Sequence, residues 1–114
     1  MKIRYLETAK PGLIWMKRYF QTQPQLDQAS AFENFEKAKR LLKQHPQAGE
    51  QFEDFVDVRE IHITRSAFSI LYTCIDDTIF IIDIRDSRGL RSAAALRKFT
   101  LELRDKYKLD NPKA

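Results

Sequence analysis

Val58 to Tyr72 reads VREIHITRSAFSILY, and the period of this stretch decides the fold. Glu60, His62 and Thr64 alternate with Ile61 and Ile63; beyond Arg65-Ser66, Ser69, Leu71 and Thr73 alternate with Phe68, Ile70, Tyr72 and Cys74. A period of two is that of a pleated strand with one face turned inward. Two such runs, Val56 to Thr64 and Ala67 to Ile75, separated by two residues, predict an antiparallel hairpin. A third run, Thr78 to Arg85, follows across Asp76-Asp77 and extends the hairpin to a meander; Asp-Asp lacks the usual glycine, which leaves the turn type open. Val56 and Val58 are out of phase with Ile61, which a β-bulge near Arg59 would reconcile.

Upstream the period changes. Lys2 to Glu7 reads as a short strand. Leu13, Ile14, Met16, Tyr19 and Phe20 then recur at helical spacing behind Thr8 and Pro11, a capping residue and a proline placed where a missing N–H does no harm. Leu26, Ala29, Phe32, Phe35, Ala38 and Leu42 form one stripe of a second helix, about 25 to 44, that stops at His45-Pro46. Pro46 to Phe55 reads as an acidic loop around Gly49. Downstream, Leu96, Phe99, Leu103 and Tyr107 predict a last helix over 90–109, with 110–114 a loose tail.

The expected fold is therefore α+β, β-α-α-β-β-β with a C-terminal helix: an αα-hairpin on a mostly antiparallel four-stranded sheet, one domain over 1–109 with its core in 1–89. Strand parity assigns Ile61, Ile63, Phe68, Ile70, Tyr72, Cys74, Phe80, Ile82 and Ile84 to the helix face. It leaves Leu71, Ile79 and Ile81 on the other, too apolar to face water together. Either the chain's last helix or a partner covers them.

Composition bounds the chemistry. The 114 residues carry 20 Lys plus Arg against 16 Asp plus Glu, a net charge of +4, with 43% hydrophobic and 32% charged residues, which is globular composition. Residues 1–24 and 91–114 are each +4, whereas 45–56 are −3 and 57–90 are −2, so the charge is no uniform coat for nucleic acid. One cysteine, Cys74, excludes an internal disulfide framework and a cysteine-based zinc site, and reads as an inert core residue. His45 and His62 lack the spacing of a metal site, and no glycine-rich loop is present to hold a nucleotide phosphate; no cofactor is expected. Charges in Met1 to Tyr5 and the short apolar block near Ile79 to Ile82 predict neither a signal peptide nor a membrane span, hence a cytoplasmic protein.

The order of elements, together with Leu42, His45-Pro46, Gly49, Arg59, the Phe68–Ile70–Tyr72 strand, Ile79 to Ile84 and Arg88, resembles the RelE/ParE superfamily of bacterial toxins over about Ile3 to Gly89. The resemblance implies a cognate antitoxin. It also implies one of two actions: ribosome-dependent mRNA cleavage in the RelE-like branch, or interference with DNA gyrase in the ParE-like branch. RNA cleavage without metal needs a base for the 2′-hydroxyl proton, cations for the phosphorane and an acid for the leaving oxygen. The RelE-like pattern sets two lysines on the open face of the Arg59 strand, a basic residue on the next strand and a tyrosine after the last one. Here Glu60 and His62, Ser69, and Ser92 to Ala95 stand in those places. The ParE-like branch is therefore the closer match, with Leu71, Ile79, Ile81, Arg85, Arg88 and Arg59 expected to meet a protein partner. In the nuclease alternative a non-standard site consists of His62, Arg65, Arg85 and Arg88. A third reading is an inactive relative that only binds its partner. Oligomeric state is not legible.

Overall fold

In a computed structural model of the chain, residues 1–22 and 28–86 are described. The elements are β1 (Lys2–Tyr5), a 3-10 turn (Glu7–Ala9), α1 (Lys10–Thr22), α2 (Gln28–Gln44), β2 (Glu50–Phe52), β3 (Phe55–His62), β4 (Phe68–Ile75) and β5 (Thr78–Asp86). They build one five-stranded sheet in the order β1-β5-β4-β3-β2, antiparallel except for β1, which runs parallel to β5. The α+β architecture with an αα-hairpin on one face is as the periodicities require. The fifth strand is β2, inside the segment read as a loop. It turns into β3 at Glu53-Asp54, where Glu53 takes the left-handed φ of 49°. Arg88, the expected last helix and the tail lie outside the described residues.

Both helices lie on one face. Met16 and Phe20 of α1 and Phe35, Ala38 and Leu42 of α2 share a core with Ile63, Phe68, Ile70, Tyr72, Ile79, Ile81 and Ile84. Phe68 is the hub of an aromatic cluster, with the rings of Trp15, Tyr19 and Phe20 edge-on to it at 5.4, 5.4 and 5.6 Å. Helix α1 approaches β5 through Gly12. A Cβ there would lie 2.6 Å from the Ile84 carbonyl oxygen and 2.7 Å from Asp83 Oδ1, so a side chain is sterically excluded. Lys39 ties α2 to β1, donating to the Tyr5 hydroxyl at 3.0 Å and pairing with Glu36 at 2.9 Å. Its burial alone would lower the lysine pKa, but these hydrogen bonds outweigh it and the net shift is upward.

The second face carries its own cluster of Phe52, Val58, Leu71, Phe80 and Ile82, with Leu6, Phe55 and Ile75 packed against it. No residue of α1 or α2 belongs to it. Here the parity expectation is corrected. Leu71 is on this face, but Ile79 and Ile81 are fully buried on the helix face, and Phe80 and Ile82 have changed sides with them. The cause is a register shift. Tyr72 pairs with Ile81 but Leu71 pairs with Asp83, so Ile82 is an extra residue on β5. One added residue reverses the phase of everything before it, and only Ile84, beyond the bulge, keeps its expected side. The irregularity expected near Arg59 lies in the β2–β3 ladder, whose register shifts between Gln51↔Arg59 and Phe52↔Phe55, while the β3–β4 ladder runs unbroken from Arg59↔Tyr72 to His62↔Ser69. Val58 simply belongs to the second face. Cys74, at the far end of β4, is exposed, not core. Partial burial, then the charges of Asp76 and Asp77, push its thiol pKa up.

The connections are specific. Asp76 takes a φ of 55°, which the two-residue turn between Ile75 and Thr78 requires and which aspartate tolerates. The β3–β4 connection is longer than the expected two residues: Ser66 Oγ donates to the Ile63 carbonyl and accepts from the Phe68 N–H, and Arg65 has a φ of 60°.

Candidate functional site

The register carries the expected polar residues onto one surface. On β3, Glu60 and His62 share the second face with Ser69 and Leu71 of β4. On β5, Arg85 stands opposite Ser69. His62 and Arg85, two residues of the nuclease alternative, thus lie in one row across three strands with Ser69 between them. Arg65 lies just past the row in an exposed turn.

Arg85 is not a spare cation. Its Nη1 lies 3.2 Å from Glu60 Oε2, and its guanidinium carbon sits 5.0 Å from the centroid of the Phe52 ring. The ion pair is only partly exposed, at 20% for Arg85 and 32% for Glu60, so it is less screened than a surface pair. The partner is therefore Glu60, across the sheet on β3. Asp83 accepts the Ile84 N–H through Oδ1 at 2.9 Å.

Arg59 and Tyr72, opposite one another in the ladder, do a different job. The Tyr72 hydroxyl donates to the Pro46 carbonyl at 2.7 Å and accepts the Gly49 N–H at 2.9 Å. Arg59 Nη1 donates to the Gly49 carbonyl at 2.6 Å and reaches that of Gln47 at 3.4 Å. Together they fasten the segment between α2 and β2. A Cβ on Gly49 would lie 2.8 Å from the Tyr72 hydroxyl oxygen, which is why glycine stands there. Burial raises the Tyr72 pKa, against the opposing effects of the Gly49 N–H and the Arg59 charge. Arg59 is thus occupied by backbone carbonyls, not by the acidic residues of the loop. The pattern Pro46, Gly49 and Tyr72 was visible in sequence, but the reach of the tyrosine hydroxyl to both was not.

Two connected depressions open beside this face. One of about 570 Å³ is lined by Leu41, Gly49, Glu50, Glu60, His62 and Ser69 among others. The second, of about 430 Å³, runs between Lys37, Leu41, Ile61, His62 and Arg65. Among the described residues no group of three or more His, Cys, Asp or Glu side chains converges as a metal ion would need.

No family model and no curated protein matches the sequence, but solved structures do. A chain of the chromosomal ParDE TA system from P. aeruginosa superposes with a TM-score of 0.61 at 18% identity, over 75% of this chain and 95% of that one. A copper-bound mutant toxin from Helicobacter pylori gives 0.55 at 14% identity, over 79% and 98%. The chain shares its fold with these two chains. Identity this low speaks for the shared fold alone. Neither α1 nor α2 in this fold is long and apolar enough to cross a membrane.

Proposed function

We propose that this chain is the toxin of a type II toxin–antitoxin pair of plasmid-stabilisation type. On this reading it is ParE-like, binds a protein target such as DNA gyrase, and is neutralised by a cognate antitoxin. The fold supports the toxin reading. The observation that favours binding over chemistry is the commitment of Arg85 to Glu60 and Phe52. Phosphorane stabilisation calls for cations aimed at the developing charge, and here the cation in line with His62 is already neutralised by a carboxylate. Among the residues expected to meet a partner, Leu71 is fully buried on the second face, Ile79 and Ile81 are buried against the helices, and Arg59 holds a loop. The antitoxin contact on the second face therefore centres on Arg85 and its surroundings.

Controlled expression tests the reading. Induction arrests growth, co-expression of the neighbouring reading frame relieves the arrest, and purified protein inhibits gyrase supercoiling while mRNA stays intact. Translation-dependent mRNA cleavage that His62→Ala and Arg85→Ala both abolish would instead establish the RelE-like alternative. Normal growth on induction would leave an inactive relative.

A further inference from the structure

The two helices differ in what they show to solvent. Exposed positions of α2 carry both signs, and its Lys37 and Lys39 pair with Glu33 and Glu36 one turn away. Helix α1 is different: no acidic residue occurs between Glu7 and Asp27. Gly12, Met16 and Phe20 turn into the core. Steps of three and four residues then set Lys10, Ile14, Lys17, Arg18 and Gln21 along the opposite side, all of them exposed.

Helix electrostatics does not account for these cations. The positive end of the helix dipole disfavours Lys10, and no basic residue occupies the last turn, where one would be favoured. Lys10 reaches back to Glu7 at 2.8 Å, an exposed pair of little strength. Lys17 and Arg18 enter no ion pair among the described residues. Between these cations stands Ile14, at 55% the most exposed large apolar side chain among the described residues. It borders a shallow depression of about 390 Å³ lined also by Lys10, Pro11, Trp15 and Arg18.

We propose that this side of α1 settles reversibly on an anionic phospholipid surface. Ile14 and the outer edge of Trp15 enter the headgroup boundary, and Lys10, Lys17 and Arg18 meet the phosphates. Apolar residues flanked by Lys and Arg, with an indole at the same level, are what interfacial helices present to a bilayer. The buried stripe of α1 is already packed on Phe68 and β5, so only the outward side takes part and the contact is shallow and sensitive to salt. The helix is not long and apolar enough to cross the bilayer, so it lies on it. Nucleic acid fits less well. A phosphate backbone makes no use of an exposed isoleucine, and base stacking needs an open ring face, whereas Trp15 is partly buried with its ring edge-on to Phe68 at 5.4 Å. The proposal does not depend on the toxin reading, because vesicle binding is measured without reference to growth or gyrase.

Trp15 is the only tryptophan of the chain, so the full protein reports its own binding. The probes are vesicles of phosphatidylcholine alone and of phosphatidylcholine with phosphatidylglycerol in equal parts. The protein is expected to sediment with the anionic vesicles only, with a blue shift of Trp15 emission, and to be released by salt. Lys17→Ser and Arg18→Ser should each lower the partition coefficient about fivefold. Ile14→Ser should lower it severalfold with the thermal melt unchanged, since the side chain is exposed. Lys2 and Arg4 alternate with Ile3 and Tyr5, which pack on the helix side, and so point away from α1. Their joint replacement by serine should leave binding intact. Equal binding to phosphatidylcholine, an unmoved Trp15 emission, or an equal loss in the Lys2 and Arg4 variant would overturn the proposal. So would tighter binding of an RNA duplex or of polyglutamate that Lys17→Ser and Arg18→Ser abolish.

Discussion

The two faces of the sheet are built by different rules. The helix face is continuous and apolar: Met16, Phe20, Phe35 and Leu42 descend onto Ile70, Ile79, Ile81 and Ile84, and at its edge the Tyr72 hydroxyl has two partners. The other face mixes an aliphatic patch with an ion pair, Leu71 and Ile82 beside Arg85 and Glu60. The contrast shows that β5, apolar on both sides, supplies each core in turn, and that a single extra residue at Ile82 decides which isoleucine serves which face. Stability is vested in the first face, and charge that a partner can read lies on the second.

That division can be broken where it is strongest. Ile81→Ala removes a fully buried side chain from beneath the helices and is expected to cost about 2–5 kcal/mol, read as a lower urea midpoint with an unchanged slope. Gly12→Ala forces a methyl against the Ile84 carbonyl and lifts α1 from β5; a loss of about 1–3 kcal/mol or more is expected, whereas alanine at a neighbouring exposed site such as Ile14 should be nearly silent. Tyr72→Phe strands the Pro46 carbonyl and Gly49 N–H and should cost about 1–3 kcal/mol, with faster hydrogen exchange in residues 46–49.

Tyr72 also sharpens the comparison through pH. Its folded-state pKa lies above the unfolded value, so the neutral phenol is favoured on folding. The stabilisation is whole below the unfolded tyrosine value of about 10 and disappears as pH climbs through the folded one. Alkaline denaturation of the wild type should show this component and Tyr72→Phe should lack it. Lys39, also shifted up, loses its contribution in the same direction and remains in both proteins. The smallest effect belongs to the second face. Glu60→Gln should cost about 1 kcal/mol or less, because a partly exposed pair is worth little, and a double-mutant cycle with Arg85→Gln should recover the coupling. An effect there as large as that of Ile81→Ala would erase the proposed division between the faces.

The β3–β4 hairpin was legible because polar and apolar residues strictly alternate from Glu60 to Ile63, which fixes phase as well as period. In Ile79 to Ile82 every position is apolar, so the strand is evident but its phase is not; the extra residue at Ile82 sets it. Strand β2 is not legible because Glu50-Gln51-Phe52 offers one apolar residue, too few for any period. Among the site residues, the shared face of His62 and Arg85 followed from parity. The Glu60 partner of Arg85 and the backbone partners of Arg59 depend on register and side-chain reach, which no local pattern encodes.

The parallel pairing of Lys2–Tyr5 with Thr78–Ile81 has a consequence for biosynthesis. A nascent chain emerging at roughly 5–20 residues per second must wait about 4 to 15 s before its opening segment meets its mate. Until then β5, which feeds both hydrophobic layers, is missing and neither layer can close. Fragments released early from the ribosome would lack the sheet's keystone, and so would not be expected to act as diminished versions of the finished molecule.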